Sequence, residues 1–549
     1  AMTRSRSRTP TLLLAALIVL APTVYGATEA PPAPAADDFS ARLERLVERL
    51  EEARTTMHVP GMAIAVVRDD AVVLARGFGH ADLASKTPAT PETIFAAGST
   101  TKAFTSALVG MLVDDGKIDW DDPLVDYLPY FRPTPRGEAG DGITVRDALS
   151  HRSGFARMSL LWVGGTVDRR TILTTASNAE PWAAFRTGFN YNNVLYLAAG
   201  EAAAKAGRRS WEKSVRKRIL KPLGMDSTTL SIADAKRDPR LATGYVWDED
   251  RETFRPKAMR DLTTIAPAGA INSNVLDMAR WVRFQLADGV FEGKRLIEEA
   301  SLAETRTAQI EIAPGVDYGM GWMLRQWNGH EVVEHGGNID GFAAQVTLLP
   351  DENAGFVLLT NVGMTPLQQS SINLVWDTLF GETAEATGED FDDFLGEYVG
   401  NFGPFEDATF TVSVTDGKLA VDVPGQMNFT LKPPGEDGRR LFEFTDQVAV
   451  SFDRDDDGEV VALRMHQAGL DFELLRRGYE VPVEIPLDEL RPFLGKYRDD
   501  ESGVVFDVVI QNNRLAIDPP DPIVFELDPP DDEGRRAVRI RPDRSIRFD

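Results

Sequence analysis

The sequence contains no cysteine and only six histidines. The missing cysteine excludes a disulfide framework, a thiolate nucleophile, a lipid-modified cysteine and a Cys-ligated zinc site. The scattered histidines leave little for metal chemistry, so neither a metal nor an organic cofactor is expected. Positive charge is scarce too: 59 Lys plus Arg stand against 85 Asp plus Glu, a net charge of −26. Such a surface repels phosphate backbones, and nucleic acid is not expected as a partner. Long apolar runs are lacking, since the fully apolar stretch at 12–21 falls short of the ~20 residues that cross a bilayer. It follows Arg4, Arg6 and Arg8 and precedes small residues around Gly26, the order of a secretory leader. Residues 1–27 are therefore expected to be a signal peptide, and the mature chain to be secreted or periplasmic with no stable membrane span.

What is present is a large globular chain. With 549 residues, 43% hydrophobic and 26% charged, it carries enough apolar side chain for several cores and excludes wholesale disorder. The Pro/Ala-rich segment within 28–38 cannot build a core and is expected as a linker. After it, Phe39, Leu43, Leu46, Val47 and Leu50 recur at helical spacing. Runs at 63–67 and 71–75 flank Arg68-Asp69-Asp70 as a hairpin. Helical patterns at 102–115, 194–206 and 275–286 follow, and strand-like runs at 343–349 and 355–360 come late. The pattern predicts an α+β domain over 39–380, an antiparallel sheet flanked by helices with strands from both ends of the domain.

A linker at 381–390 leads into a region of different character. Residues 381–549 hold 39 acidic and 18 basic residues, a net of −21, so the domain before them is nearly balanced in charge. Short strand-like runs broken by Gly, Asp and Pro predict all-β, barrel-like architecture. This region repeats itself at an offset of 96: Phe394-Leu395-Gly396-Glu397-Tyr398 returns as Phe493-Leu494-Gly495-Lys496-Tyr497, and Gly438-Arg439-Arg440 as Gly534-Arg535-Arg536. Two tandem β domains are expected, at 391–480 and 481–549, the second lacking counterparts of the first domain's last two strands. Within the first, Asp453 to Gly458 imitates half of an EF-hand loop, but Arg464 stands where a bidentate Glu is needed, so a solvated hairpin turn is expected.

Ser99-Thr100-Thr101-Lys102 sits where a short loop enters a long apolar helix. Residues three apart share a helix face, so hydroxyl and ammonium project into one space and supply a nucleophile with its own base. Ser210…Lys213 and Ser214…Lys217 repeat the spacing on a basic surface helix, so the pattern alone decides nothing. Ser99 is set apart by Tyr191-Asn192-Asn193 and His335-Gly336-Gly337 further along the chain.

Together these motifs resemble those of the penicillin-binding protein and class C β-lactamase superfamily of serine hydrolases, which includes family VIII carboxylesterases and D-aminopeptidases. The stretches Ile143 to Gly154 and Tyr318-Gly319-Met320-Gly321-Trp322 are similar to family signatures as well, and the β region resembles the lipocalin-like domains that follow the catalytic domain in some members. The resemblance implies that Ser99 is the nucleophile, Lys102 its base and Tyr191 a relay or second base. It implies that Asn193 binds substrate, and that the N–H groups of Ser99 and Asn338, after His335-Gly336-Gly337, form the oxyanion hole. A substrate that is a small ester or a D-amino-acid peptide follows, with β-lactamase or D-Ala-D-Ala carboxypeptidase activity as the alternative. A non-catalytic receptor or scaffold is the rival of a different class. His335 stands where the family usually carries Lys, which weakens carboxylate anchoring there. Phe155, Trp162, Trp182 and Tyr318 are candidates both for the acyl pocket and for the core, and His151 reads as structural. The β domains are expected to cover the mouth of the site or to pair subunits in a homo-oligomer.

Overall fold

The computed structural model describes residues 36–134, 142–248, 251–313, 315–381, 391–402, 405–415, 418–424, 428–435, 437–443, 447–467, 469–498, 505–519 and 524–548. The expected leader at 1–27 lies outside the described residues, as do the linkers apart from residues 36–38 and 381. Among the described residues no helix is long and apolar enough to cross a membrane.

Nine strands form the central antiparallel sheet: β1 (Gly61–Arg68), β2 (Ala71–Asp82), β3 (Thr87–Pro88), β4 (Ile310–Ala313), β5 (Val316–Tyr318), β6 (Met323–Trp327), β7 (His330–Ile339), β8 (Phe342–Leu349) and β9 (Ala354–Thr360). Their order is β4-β5-β6-β7-β8-β9-β1-β2-β3, so β1 from the start of the domain pairs with β9 from its end, Met62 opposite Thr360. Strand period explains the layering. Met62, Ile64 and Val66 of β1 face one core with Phe356 and Leu358 of β9, while Ala63, Ala65 and Val67 face the other with Val357 and Leu359. The first core is closed by α1 (Ala36–Thr56) and a C-terminal helix (Leu367–Phe380) through Leu46, Leu50, Val375 and Trp376. The second is closed by α2 (Thr101–Asp114), α3 (Asn193–Ala206) and α4 (Val275–Leu286). In chain order the C-terminal helix is α5.

Helix α2 is buried nearly all round, as its uniform apolar pattern requires. Phe104 on it stacks on Trp281 of α4 with ring centroids 3.8 Å apart, and each such burial contributes roughly 1.5–3 kcal/mol. The expected hairpin at Asp69 and Asp70 is present, both residues lying at positive φ, and β2 runs seven residues beyond the stretch its alternation marked.

Beyond α5 the structure is all β. Eight strands, β10 (Gly396–Phe402), β11 (Phe405–Thr415), β12 (Lys418–Asp422), β13 (Asn428–Thr430), β14 (Arg440–Leu441), β15 (Val448–Arg454), β16 (Val460–Gln467) and β17 (Leu470–Arg476), form one sheet in the order β13-β12-β11-β10-β17-β16-β15-β14. A bridge between Leu431 and Phe442 joins its two ends, so these strands close on themselves. The second copy has β18 (Gly495–Arg498), β19 (Val505–Gln511), β20 (Arg514–Asp518) and β21 (Phe525–Glu526) in one sheet and β22 (Arg535–Val538) with β23 (Arg541–Arg547) in another, linked by the equivalent bridge, Leu527 to Val538. Nothing among its described residues corresponds to β16 and β17, so β18 and β23 do not pair. The EF-hand-like stretch is the turn between β15 and β16, where Asp455 Oδ1 accepts from the backbone N–H groups of Asp457 and Glu459.

Candidate active site

Ser99 lies in a 3₁₀ turn, Gly98–Thr100, that runs directly into α2, and its side chain is half-buried. The turn is pressed against β7. A Cβ on Gly98, whose φ is +53°, would lie 3.1 Å from the amide nitrogen of Asn338. One on Gly337 would lie 2.1 Å from the carbonyl oxygen of Ala97 and 3.0 Å from the amide nitrogen of Ser99. Only glycine permits this approach. It brings the backbone N–H groups of Ser99 and Asn338 to one edge of the site. Gly336 is similarly crowded, a Cβ there meeting Gln368 Nε2 at 2.2 Å. Asn338 is held by its side chain, which accepts from the N–H of Met364 at 2.7 Å and donates to Gln368 Oε1.

Lys102 follows one helical turn later and is fully buried. Its Nζ stands 3.1 Å from Ser99 Oγ and donates to the carbonyl of Ala268 at 2.9 Å. Among the described residues no carboxylate pairs with it. Burial, reinforced by the positive charge of Arg157, pushes its pKa well below the usual 10.5, which favours the neutral, proton-accepting amine.

Tyr191 arrives from the loop before α3. Its ring centre is 4.6 Å from Lys102 Nζ and its hydroxyl is within hydrogen-bonding reach of Ser99. A cation beside a tyrosine favours phenolate, but burial outweighs both the Ser99 hydrogen bond and the charge of Arg157 and raises the pKa above the ordinary 10. Tyr191 is thus a neutral phenol. The next two residues divide the work: Asn192 caps α3, its Oδ1 accepting from the N–H groups of Val194 and Leu195, and its Nδ2 donates to Ala156 O at 2.6 Å. Asn193 keeps its Oδ1 without a hydrogen-bond partner among the described residues.

His335 is buried and both ring nitrogens are engaged. Nδ1–H donates to Gly336 O at 2.6 Å, and Nε2 accepts from the Tyr318 hydroxyl at 3.0 Å. Burial, then the charge of Lys102, pushes its pKa down to about 3 against the opposing Gly336 carbonyl. A neutral ring with no free nitrogen offers a carboxylate nothing. His151, read from the sequence as structural, is buried with its Nδ1 accepting from the N–H of Asn192 at 3.0 Å, and its ring centre is 4.3 Å from that of Tyr191. It therefore backs the Tyr191 loop.

Of the aromatic candidates, Phe155 and Tyr318 belong to the interior, while Trp182 is 73% exposed. The look-alike serines are elsewhere: Ser210 caps the short helix Trp211–Val215. Arg157, absent from every motif, is the residue that sequence reasoning missed.

Residues 44–370 match the family described as Beta-lactamase. The chain belongs to the β-lactamase family. This family shares its fold with penicillin-binding proteins and comprises hydrolases, in keeping with the sheet and helices described above. The β-lactamase-family chain is 32% identical over 352 residues to Unguisins hydrolase ungD' of Aspergillus campestris, covering 62% of this chain and 63% of that one. It is 28% identical over 330 residues to Penicillin-binding protein 4 of Amycolatopsis lactamdurans, covering 58% and 84%. It thus spans less than two thirds of the first relative. The octameric penicillin-binding protein homologue from Pyrococcus abyssi superposes with a TM-score of 0.57 at 23% identity, over 79% of this chain and all of that one, a likeness of fold.

Proposed function

We propose that this chain is a serine hydrolase working through an acyl-enzyme on carboxylic esters or D-amino-acid-containing peptides and amides. The observation that carries the reading is the buried, uncompensated Lys102 amine 3.1 Å from Ser99 Oγ. Ser99 Oγ attacks the acyl carbon while its proton passes to Lys102, and the N–H groups of Ser99 and Asn338 hold the developing oxyanion. Tyr191, a neutral phenol touching Ser99, gives its proton to the departing oxygen or nitrogen and regains one from Lys102. Water then attacks the Ser99 ester by the reverse proton route, releasing the acid and restoring the hydroxyl. The free Oδ1 of Asn193 is suited to a substrate N–H.

The engaged, neutral His335 supports esters and peptides over β-lactams. Among the relatives, one named as a hydrolase of unguisins supports the hydrolase reading. The chain's basic-then-apolar start supports export, and a pair of lipocalin-like β domains is proposed to shape the mouth or the oligomer. A receptor reading has no use for the Ser99, Lys102 and Tyr191 set.

Nitrophenol release from a short-chain nitrophenyl ester tests the proposal. Wild type is expected to show a burst and then steady turnover, with Ser99→Ala reduced by roughly three orders of magnitude or more. Release that survives in Ser99→Ala would refute the mechanism, and acylation seen by mass spectrometry without turnover would favour the receptor.

A further inference from the structure

His335 is neutral and burial disfavours the charged form of Lys102, so the motif residues around Ser99 offer a substrate little positive charge of their own. Arg157 supplies it. Its backbone is fixed at the site, because the carbonyl of the preceding Ala156 accepts from Asn192 Nδ2 at 2.6 Å, tying this loop to the Tyr191 loop. Its guanidinium carbon lies 5.5 Å from the centre of the Tyr191 ring, the same ring that Lys102 Nζ approaches to 4.6 Å.

The side chain is exposed and, among the described residues, has no ion pair or hydrogen bond. Its neighbours are not so placed: Arg152 and Arg186 both bind the buried carboxylate of Asp147, at 2.7 and 2.8 Å. A planar guanidinium left unpaired in a chain of net charge −26 is well suited to take a carboxylate in its fork. Stacking on Tyr191 holds that fork in register with the nucleophile.

We propose that Arg157 anchors an anionic group of the substrate, a carboxylate borne on either its acyl or its leaving portion, beside Tyr191. This rests on the acyl-enzyme reading and names the substrate class within it: acyl compounds carrying a free carboxylate. Arg157 fills the electrostatic role that His335 does not, from a different element.

Paired esters test it. Mono-4-nitrophenyl adipate against methyl 4-nitrophenyl adipate places the carboxylate on the acyl side, and 3-acetoxybenzoate against methyl 3-acetoxybenzoate places it on the leaving group. In each pair the ratio of kcat/KM, anionic over neutral, cancels general effects of a substitution. Arg157→Gln is expected to lower the ratio about tenfold or more in at least one pair, and Arg157→Lys to restore part of it. Rising salt is expected to lower the wild-type ratio and not that of Arg157→Gln. Ratios unchanged from wild type in both pairs would overturn the proposal.

Calorimetry of adipate binding to Ser99→Ala, with and without Arg157→Gln, reads the anchor without turnover. Binding that depends on Arg157 in a protein whose hydrolysis does not depend on Ser99 would overturn the acyl-enzyme reading alone. Binding equal in the two variants would overturn the anchor alone.

Discussion

In the proposed mechanism Lys102 serves chemistry at the expense of stability. Its folded pKa lies below the 10.5 of the free side chain, so at neutral pH the unfolded chain binds a proton that the folded chain gives up. Stability from this group therefore rises with pH and is complete only above the unfolded value. Lys102→Met is expected to abolish turnover, by roughly 10²–10⁴-fold or more, while raising the melting temperature at pH 7 and flattening the rise in stability between pH 7 and 10. A melting temperature that falls at pH 7 would show that the bond to Ala268 O outweighs the burial. The acid limb of kcat/KM should lie well below 10.5. Because Arg157 is one cause of the depression, Arg157→Gln should move that limb to higher pH.

At the scale of elements, the site exists because a strand and a turn meet without side chains between them. Gly337→Ala would drive a Cβ to 2.1 Å from Ala97 O and force β7 away from the Ser99 turn. The expected loss is about 10²–10³-fold in kcat, the size of a lost oxyanion donor, with Ser99 still labelled slowly by a fluorophosphonate. A second element carries a cost of its own. Asp377 on α5 accepts from Trp327 Nε1 of β6 at 2.7 Å, and burial, with Glu443 nearby, pushes its carboxyl up to about 6. The folded state then holds a proton that the unfolded state releases above 3.8, so stability is lost as pH rises through this range. Asp377→Asn keeps the acceptor and is expected to stabilise the protein at pH 7 by up to about 3 kcal/mol, and by little at pH 3. Chemical denaturation at the two pH values checks it.

These elements also show what the sequence discloses. The apolar period of α2, the two-residue period of β1, β8 and β9, and the Ser99, Tyr191 and His335 motifs are local, and the structure brings those motifs together. Hidden were facts that depend on partners far along the chain. The engagement of His335 needs Tyr318, the support of Tyr191 needs His151 some forty residues earlier, and the placement of Arg157 needs Asn192. No periodicity marks such contacts, and the burial that keeps Tyr191 a neutral phenol is invisible in a string of residues.

For the whole molecule, the question is what the acidic third of the chain contributes. The described cores keep the two parts distinct: the clusters around the central sheet contain no residue beyond Phe380, and the cluster of the β region none before Phe391. The end of α5 is tied back to α1, with Arg42 Nη1 donating to Leu379 O at 3.0 Å and Gly381 O at 2.9 Å. A chain ending at residue 381 therefore retains both cores and its last helix contacts, and it is expected to fold. The two β copies share a cluster and are pinned together at Glu473, which bridges Arg514 and Arg539 of the second copy, each at 2.8 Å. They are thus a single acidic appendage. Removing 382–549 takes away a charge of −21 and leaves about −5 on the rest. If this appendage borders the Ser99 mouth, its negative field opposes the anions that Arg157 attracts, so the truncated enzyme should raise kcat/KM for mono-4-nitrophenyl adipate relative to its methyl ester at low salt. If it pairs subunits, sedimentation should show a smaller assembly. An enzyme of unaltered selectivity and unaltered assembly state would leave the appendage without either role.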